Sequence, residues 1–230
     1  MKNPMLSAEI EEILIEKDLY YEDIKMIGVS IKYPKIVNCG DRAAVRINAY
    51  YERVAELFLK YCEKKLYKMA VGEFEYSVAN SYPFREFSAV LTYETPYNKN
   101  SALSIFCDRY EYTGGAHGMT VRSSDTWDLG YGYPMQLKEF YPKGANYKKS
   151  LIASAILEAE RQIKDGSGMY FEDYKKLIAR YFDPEDYYLT EKGLAVFYQL
   201  YAIAPYAQGF PVFIAPYSEN GPMEPSAAAN

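Results

Sequence analysis

The sequence is short of the residue types that most often carry catalysis. It contains a single histidine, His117, together with three cysteines and one tryptophan among 230 residues. A Ser–His–Asp or Cys–His site needs a base beside its nucleophile, and the sequence has no GxSxG motif, no Walker loop and no GxGxxG motif. The sequence therefore indicates no catalytic residue and no cofactor.

Cysteine is too sparse to predict a metal site or a disulfide framework. Cys39, Cys62 and Cys107 lie far apart and form no CxxC pair. A zinc site usually takes several His or Cys ligands, and a disulfide framework takes an even number of closely spaced cysteines. We expect no metal ligand, and we predict that the three cysteines are small buried hydrophobes.

Positive charge is in deficit. The chain has 26 Lys and Arg against 31 Asp and Glu, which gives a net charge of −5 and a pI of about 5.2. Binding to nucleic acid or to an anionic membrane surface needs a basic footprint, and no run of Lys and Arg is long enough to predict a basic patch. We therefore expect no nucleic-acid partner.

Long hydrophobic runs are also absent. No segment approaches the roughly 20 apolar residues of a membrane span. The N-terminal segment lacks the basic and apolar regions of a signal peptide. The sequence as it stands predicts a cytoplasmic protein without a membrane span, and an extracytoplasmic location is the alternative if the start is truncated.

Tyrosine is abundant, with 26 residues. Its ring packs while its hydroxyl stays hydrated, which suits half-buried sheet surfaces and recognition surfaces alike. The count alone does not choose between the two.

The N-terminal part predicts a strand and a long helix. Residues 24–33 alternate apolar and polar, which predicts a strand that ends before Pro34, whereas residues 9–19 fit either a short helix or a strand. Residues 42–69 repeat apolar residues at helical spacing, with Asp41 as the N-cap. The helix stripe predicted to be buried comprises Ile47, Tyr50, Tyr51, Val54, Leu57, Phe58 and Tyr61.

Three further strands are predicted in the middle of the chain. They cover residues 86–95, 102–112 and 119–129, with a turn at 96–101 between the first two. The third strand has an apolar face and a wholly polar face, and one wet face is typical of an antiparallel sheet. The face of this strand predicted to be buried comprises Met119, Val121, Trp127 and Leu129.

The second half predicts a helix pair and a final β region. The helices cover residues 146–164 and 170–181, and the strands cover 193–201 and 210–215. No strand–helix–strand rhythm is present, which argues against a doubly wound fold. The prediction is an α+β fold in which an antiparallel sheet is packed by a long helix, with a second helix pair in the C-terminal half.

The predicted domain organisation has three parts. Residues 1–80 form an N-terminal module of strands and the long helix, and residues 81–217 form a C-terminal α+β module. Residues 218–230 have too little apolar content to order themselves and are predicted to be a disordered tail.

The segment "EYTGGAHGM" (111–119) holds the only histidine between two predicted strands. Gly114 and Gly115 can supply the positive φ angles of a tight turn, which is a sufficient structural reason for this local sequence. We therefore interpret His117 as a turn or rim residue on an exposed loop, where it can contact a partner, and not as a catalytic base.

Several motifs in order resemble one family. "YTGGAHG", "YPMQLKEFY" and "YYLTEKGLAVFYQLYAIAPYAQG" resemble the domain of unknown function that forms the extracytoplasmic part of RsiV-type anti-sigma factors. The same domain accompanies the catalytic part of PdaC-type peptidoglycan deacetylases. "IKYPKI…DRAAVRIN" resembles the companion N-terminal module of those proteins, so the likeness covers about residues 10–217.

This resemblance implies a non-catalytic, receptor-like α+β module, which in RsiV-type proteins binds lysozyme. The sequence shows no membrane span, no sigma-binding segment and no polysaccharide deacetylase domain with its metal-binding Asp and His residues. The expected partner is a protein or a cell-wall-derived ligand, and the oligomeric state stays open. The candidate binding residues are Tyr112, Gly114, Gly115, His117, Tyr206 and Gly209.

Two alternatives stay open. One is a hydrolase that acts on cell-wall glycans through a carboxylate pair, because any two of the 31 acidic residues can meet in space. The other is a structural interaction domain without a small ligand. A cleft with two facing carboxylates would favour the first alternative, and an exposed aromatic surface would favour the binding module.

Overall fold

The computed structural model describes residues 6–39 and 41–225, apart from the side chain of Asp41. The fold is α+β, as predicted, with strands in two sheets and a long helical run packed on the larger one. Among the described residues, no helix combines the length and apolar character needed to cross a bilayer.

The larger sheet has five strands in the order β1-β2-β3-β4-β5, and the smaller sheet has three in the order β6-β7-β8. The strands of the larger sheet are β1 (Glu9–Tyr21), β2 (Ile24–Asn38), β3 (Phe87–Lys99), β4 (Ala102–Tyr112) and β5 (Met119–Asp128). Those of the smaller sheet are β6 (Tyr187–Thr190), β7 (Gly193–Phe197) and β8 (Val212–Pro216).

The helices fall into two groups along the chain. The first is a continuous run of α1 (Asp41–Tyr61), a π-helical segment (Cys62–Leu66) and α2 (Tyr67–Ala79). The second comprises α3 (Tyr147–Asp165) and α4 (Tyr174–Arg180).

The chain divides into two compact units. The helix–sheet unit comprises Glu9–Tyr93 and Cys107–Arg122. The C-terminal unit comprises three described segments, which are residues 6–8, Glu94–Phe106 and residues 123–225.

The segment that fitted either a helix or a strand is strand β1. It pairs antiparallel with β2 over its whole length, with Ile13 opposite Tyr33 and Ile15 opposite Ile31. Strand β2 runs on past Pro34, where the sequence predicted its end. Pro34 is tolerated because β3 pairs with β2 only up to Ile31, so the chain around Pro34 has β1 as its single paired neighbour.

One pair departs from the predicted antiparallel pattern. Strands β2 and β3 run parallel, with Ile27 opposite Phe87 and Ile31 opposite Leu91. A parallel pair needs a long crossover, and the helical run from Asp41 to Ala79 provides it.

The helical run extends ten residues beyond its predicted end at residue 69. Its buried positions recur every three or four residues, which keeps one face of the helix against the sheet. These positions are Ala43, Ile47, Tyr51, Ala55, Phe58, Cys62, Leu66 and Ala70. The predicted stripe was wrong at Tyr50 and Leu57, which are 40% and 47% exposed because they lie one position off the buried face. Val54 and Tyr61 lie at the edge of that face and are half-buried.

The faces of β5 were also assigned wrongly near its start. Met119 and Val121 are 43% and 45% exposed, although the sequence predicted them to be buried. The opposite face is half-buried there, and Arg122 donates two hydrogen bonds to Asp108, at 2.8 and 2.6 Å, which offsets the cost of partly burying both charges. Trp127 and Leu129 are buried as predicted.

The turn between β3 and β4 is shorter than predicted. Strand β3 continues to Lys99, so only Asn100 and Ser101 connect the strands, with φ angles of 54° and 61°. Two successive positive φ angles are typical of a type I′ hairpin turn, which Asn tolerates well at its first central position.

In the C-terminal unit, α3 begins and ends within one residue of its prediction, and Asn146 accepts a hydrogen bond from Lys149 N as its N-cap. Helix α4 is shorter than its predicted range of 170–181. Strand β7 ends at Phe197, whereas the sequence predicted that it would end at residue 201. Strand β6 was missed, because "YYLT" is too short to show an alternating pattern.

Part of the segment predicted to be a disordered tail is described. Met223 N donates to the carbonyl oxygen of Phe140, and Lys99 lies 3.1 Å from the carboxylate of Glu224. Residues 226–230 of the predicted tail lie outside the described residues.

Several tyrosines in the C-terminal unit are buried core residues. Tyr187 and Tyr198 are 3% and 1% exposed, and their hydroxyls donate to the carbonyl oxygens of Met135 and Ile178. The rings fill the core and the hydroxyls have hydrogen-bond partners, so packing alone explains why tyrosine occupies these positions.

Candidate functional site

The GGAH segment forms the turn that joins β4 to β5 in the helix–sheet unit. Gly114 has a φ angle of +90°, which favours glycine, whereas Gly115 does not adopt a positive φ, contrary to the prediction. Gly118 is buried, and a Cβ there would lie 2.3 Å from the ring of Tyr110, so any other residue would displace this ring. Two of the three glycines are therefore explained by local structure.

His117 lies in this turn, and its side chain is exposed. Its Nδ1 donates to the carbonyl oxygen of Gly118, 2.8 Å away. Tyr112 is half-buried at the end of β4. The position of His117 in the turn agrees with the prediction, and a contact role for it stays a prediction.

The backbone of Gly114 and Gly115 lines a cleft of about 520 Å³. The other side chains around it come from α2 and from the connection between α2 and β3. The lining comprises Glu73, Tyr82, Pro83, Arg85, Gly114, Gly115 and Ala116. Arg85 Nη1 donates to the carbonyl oxygen of Gly115, 3.2 Å away, so the connection and the turn are joined directly.

Tyr82 lines this cleft and forms an aromatic pair with Tyr76. Tyr82 is 39% exposed and Tyr76 is 60% exposed, and their rings lie edge to face with centroids 5.8 Å apart. The Tyr82 hydroxyl donates to Glu73 Oε1 at 3.3 Å, and its backbone N–H donates to Ser77 O at 3.1 Å. Desolvation raises the pKa of Tyr82 and the Glu73 carboxylate raises it further, so the phenol keeps its proton at neutral pH.

The cleft can therefore bind, orient and stack a ligand. It presents an aromatic face, one guanidinium and one carboxylate around an accessible backbone turn. Sequence reasoning found Gly114 and Gly115 but missed Glu73, Tyr82 and Arg85. The segment "SYPFR" carries no periodic signal, and only the fold brings it to the GGAH turn.

The remaining predicted residues belong to the C-terminal unit. Tyr206 begins a short 3-10 helix, Tyr206–Gln208, and Gly209 ends it with a φ angle of 70°. The ring of Tyr206 lies 5.7 Å from that of Tyr201, which is 45% exposed and has a φ of 64°. The six predicted residues thus divide between the two units, and their roles stay predictions.

A second, more polar groove crosses β1, β2 and β3 on the helix–sheet unit. Its volume is about 510 Å³, and Asp18 and Glu86 are the acids of its lining that share a cation. Lys25 Nζ lies 2.8 Å from Asp18 Oδ1 and 3.1 Å from Glu86 Oε1. Because the Lys25 ammonium occupies the space between these two carboxylates, the arrangement is that of an ion-pair network.

The described part of the chain gives little support for a metal site or a reactive thiol. No group of three or more His, Cys, Asp or Glu side chains lies there in a position to share a metal ion. Cys62 and Cys107 are buried and Cys39 is half-buried. Burial raises the pKa of the Cys62 thiol to about 12, so this thiol is protonated at neutral pH.

The side-chain carboxyl of Asp186, in the C-terminal unit, has a raised pKa. Burial raises its pKa to about 6, the hydrogen bond from Gln199 opposes this shift, and Asp183 and Glu185 add to it. The folded protein therefore holds this proton more tightly than the unfolded chain, whose ordinary value is 3.8. The stability that Asp186 contributes is full below about pH 4 and is lost as the pH rises to about 6.

We expect Asp186→Asn to stabilise the C-terminal unit by about 1–2 kcal/mol at pH 7.5, after allowance for solvent screening, and to have little effect at pH 4. Denaturant melts at the two pH values test this, with the fluorescence of Trp127, a buried residue of the same unit, as the signal. An equal effect at both pH values would contradict the assigned titration.

Two family models match separate parts of the chain. Residues 21–120 match the model described as "Deacetylase PdaC", and residues 138–218 match the model described as "Protein of unknown function (DUF3298)". No protein with a curated description matches the chain.

Solved structures are similar over nearly the whole length. A DUF3298 family member from Bacteroides fragilis has a TM-score of 0.68 at 18% identity, covering 91% of this chain and 90% of that chain. A DUF3298 family protein from Pseudomonas aeruginosa has a TM-score of 0.59 at 21% identity, covering 94% and 92%. The chain therefore shares its fold with solved DUF3298 family proteins, and it carries a PdaC-like segment ahead of a DUF3298-like segment.

Proposed function

We propose that this protein is a non-catalytic binding module of the sensor type. The observation that carries the proposal is the cleft beside the GGAH turn, which Tyr82 and Arg85 line, and in which the Tyr82 ring packs against that of Tyr76. Its volume of about 520 Å³ is in the range of small-molecule and peptide sites. Exposed, paired tyrosines supply contact area at a low entropic cost, because each ring has only two rotatable side-chain bonds.

The composition of the cleft favours binding over hydrolysis. A glycoside hydrolase places two carboxyl groups on either side of the scissile bond. Among the residues that line this cleft, Glu73 is the only carboxylate, and it accepts a hydrogen bond from Tyr82. In the polar groove across β1, β2 and β3, the Lys25 ammonium lies between the carboxylates of Asp18 and Glu86.

The proposed ligand is a protein or a fragment of the cell wall. The resemblance to the RsiV-type ectodomain supports a lysozyme-like or peptidoglycan-derived ligand, and the match to the PdaC model supports a link to the cell wall. Such a ligand requires an extracytoplasmic location. The chemistry of the cleft agrees with both ligands, since sugars and peptides alike stack on tyrosine and bond to a guanidinium.

The proposal is tested by calorimetric titration with two probes, lysozyme and soluble peptidoglycan fragments. We expect one of them to bind the wild-type protein, and Tyr82→Ala to weaken that binding by at least about tenfold, the loss typical of an interface anchor. The Tyr133→Ala variant is the matched control, because Tyr133 is also an exposed tyrosine, at 56%, but belongs to the C-terminal unit.

Two outcomes would contradict the proposal. One is that neither probe binds. The other is that both probes bind with affinities that Tyr82→Ala leaves unchanged. Release of reducing sugars from peptidoglycan by the wild-type protein would favour the hydrolase instead.

A further inference from the structure

One exposed face of α1 is lined by basic and large apolar side chains. We define this face as the basic stripe, which comprises Arg42, Arg46, Tyr50, Arg53, Leu57 and Lys60. All six residues are exposed, with Tyr50 at 40% and Leu57 at 47%. The stripe itself carries four positive charges, in a chain whose net charge is −5.

The spacing of the basic stripe is that of a helix–helix seam. Arg46, Arg53 and Lys60 are seven residues apart, and Tyr50 and Leu57 form a second line with the same repeat. At a rise of about 1.5 Å per residue, the stripe extends about 27 Å along the helix. A heptad repeat keeps side chains on one face of a helix, and it is the spacing at which one helix packs along another.

We propose that the basic stripe binds an acidic amphipathic helix of a partner protein. Such a helix would carry Glu or Asp opposite Arg46, Arg53 and Lys60, and Leu, Ile or Val opposite Tyr50 and Leu57. The apolar line supplies buried area, and the charged line fixes orientation and excludes basic partners.

Charge and geometry favour this occupant over the other two surfaces that a basic helix face can meet. The net charge of −5 opposes approach to an anionic membrane, and the stripe contains only two large apolar side chains to insert. A second copy of the chain would bring its own positive stripe to the same seam in a symmetric dimer, where like charges repel.

One ion pair on the stripe, between Arg53 and Glu56, is weak. Arg53 Nη1 lies 3.2 Å from Glu56 Oε2, but the two side chains are 64% and 59% exposed. An exposed pair one helical turn apart is weak, so the guanidinium can exchange Glu56 for a carboxylate of the partner.

The experiment uses the whole chain and a synthetic helical peptide of about three heptads, with Glu at one heptad position and Leu at the other. We expect saturable binding with a Kd below about 100 µM at low salt, weakening as salt is added. Arg53→Glu combined with Lys60→Glu should reduce the affinity at least about tenfold, and Leu57→Ala should also weaken it.

The matched control is Lys143→Glu combined with Lys149→Glu, which makes the same charge change at exposed positions of the C-terminal unit. This control should bind the peptide as the wild type does, and a peptide with Lys in place of Glu should not bind. Circular dichroism confirms that each variant is folded.

The proposal is overturned by an absence of saturable peptide binding, or by equal losses in the two double variants. It is also overturned if the stripe mediates binding to phosphatidylglycerol vesicles without binding the peptide. A dimer of the wild-type chain in light scattering that Arg53→Glu with Lys60→Glu dissociates would replace the partner helix with a second copy.

Discussion

Phe58→Ala is expected to lower the free energy of unfolding by about 3–5 kcal/mol. Phe58 is 5% exposed on the buried face of α1, and its ring stacks on that of Tyr61 with centroids 6.3 Å apart. The guanidinium of Arg109 lies 5.8 Å from the centroid of the same ring. Truncation therefore removes buried area, leaves a cavity and takes away one of the aromatic rings beside the Arg109 guanidinium.

The neighbouring substitution Leu57→Ala is the matched control for this prediction. Leu57 is 47% exposed, one position off the buried face of the helix, so its loss should cost no more than about 0.5 kcal/mol. Urea melts followed by far-ultraviolet circular dichroism measure both variants. A Leu57 variant that loses more stability than the Phe58 variant would mean that the helix is rotated by one residue from the observed register.

This pair of residues also shows what the sequence could and could not predict. The spacing from Ile47 to Tyr61 predicted a helix correctly, because a 3.6-residue repeat has no strand counterpart. It could not centre the buried face, since Leu57 and Phe58 are both apolar and differ by only about 100° around the axis. Burial decides between them, and burial depends on the partner sheet.

Strand β5 was misread for a related reason. The alternation of Met119 and Val121 with polar residues predicted which side chains share a face, and that grouping is correct. The inference that this apolar face is buried failed at Met119 and Val121, where the ion pair of Arg122 and Asp108 satisfies the charges on the half-buried opposite face. A pairing partner on another strand cannot be read from the alternation of one strand.

The candidate cleft was only half visible in the sequence. The GGAH turn stood out through its glycines, whereas Tyr82 and Arg85 lie in an irregular connection about 30 residues earlier. The basic stripe was missed altogether. Arg46, Arg53 and Lys60 never form a run, so a search for runs of Lys and Arg could not find them before the helix placed them on one face.

Gly193 holds the most restrictive backbone position of the smaller sheet. It is the first residue of β7 and pairs with Thr190 of β6 on one side and Pro216 of β8 on the other. Its φ angle is 155°, and a Cβ would lie 2.1 Å from the carbonyl oxygen of Ala215. The obstruction is backbone on a paired strand, so no side-chain rotation can relieve it.

Gly193→Ala is therefore expected to cost about 2–5 kcal/mol, the sum of backbone strain and a steric clash that forces β7 and β8 apart. Trp127 belongs to the same unit and is buried, so its fluorescence in guanidinium melts reports this loss. The control is Gly72→Ala in α2, where a Cβ meets no atom within 4 Å. Because alanine favours the helical backbone, this change should stabilise the helix–sheet unit by about 0.5–1 kcal/mol, measured by circular dichroism. The same chemical change thus has opposite signs at the two glycines, and a loss below about 1 kcal/mol at Gly193 would show that β7 and β8 do not pair in the observed register.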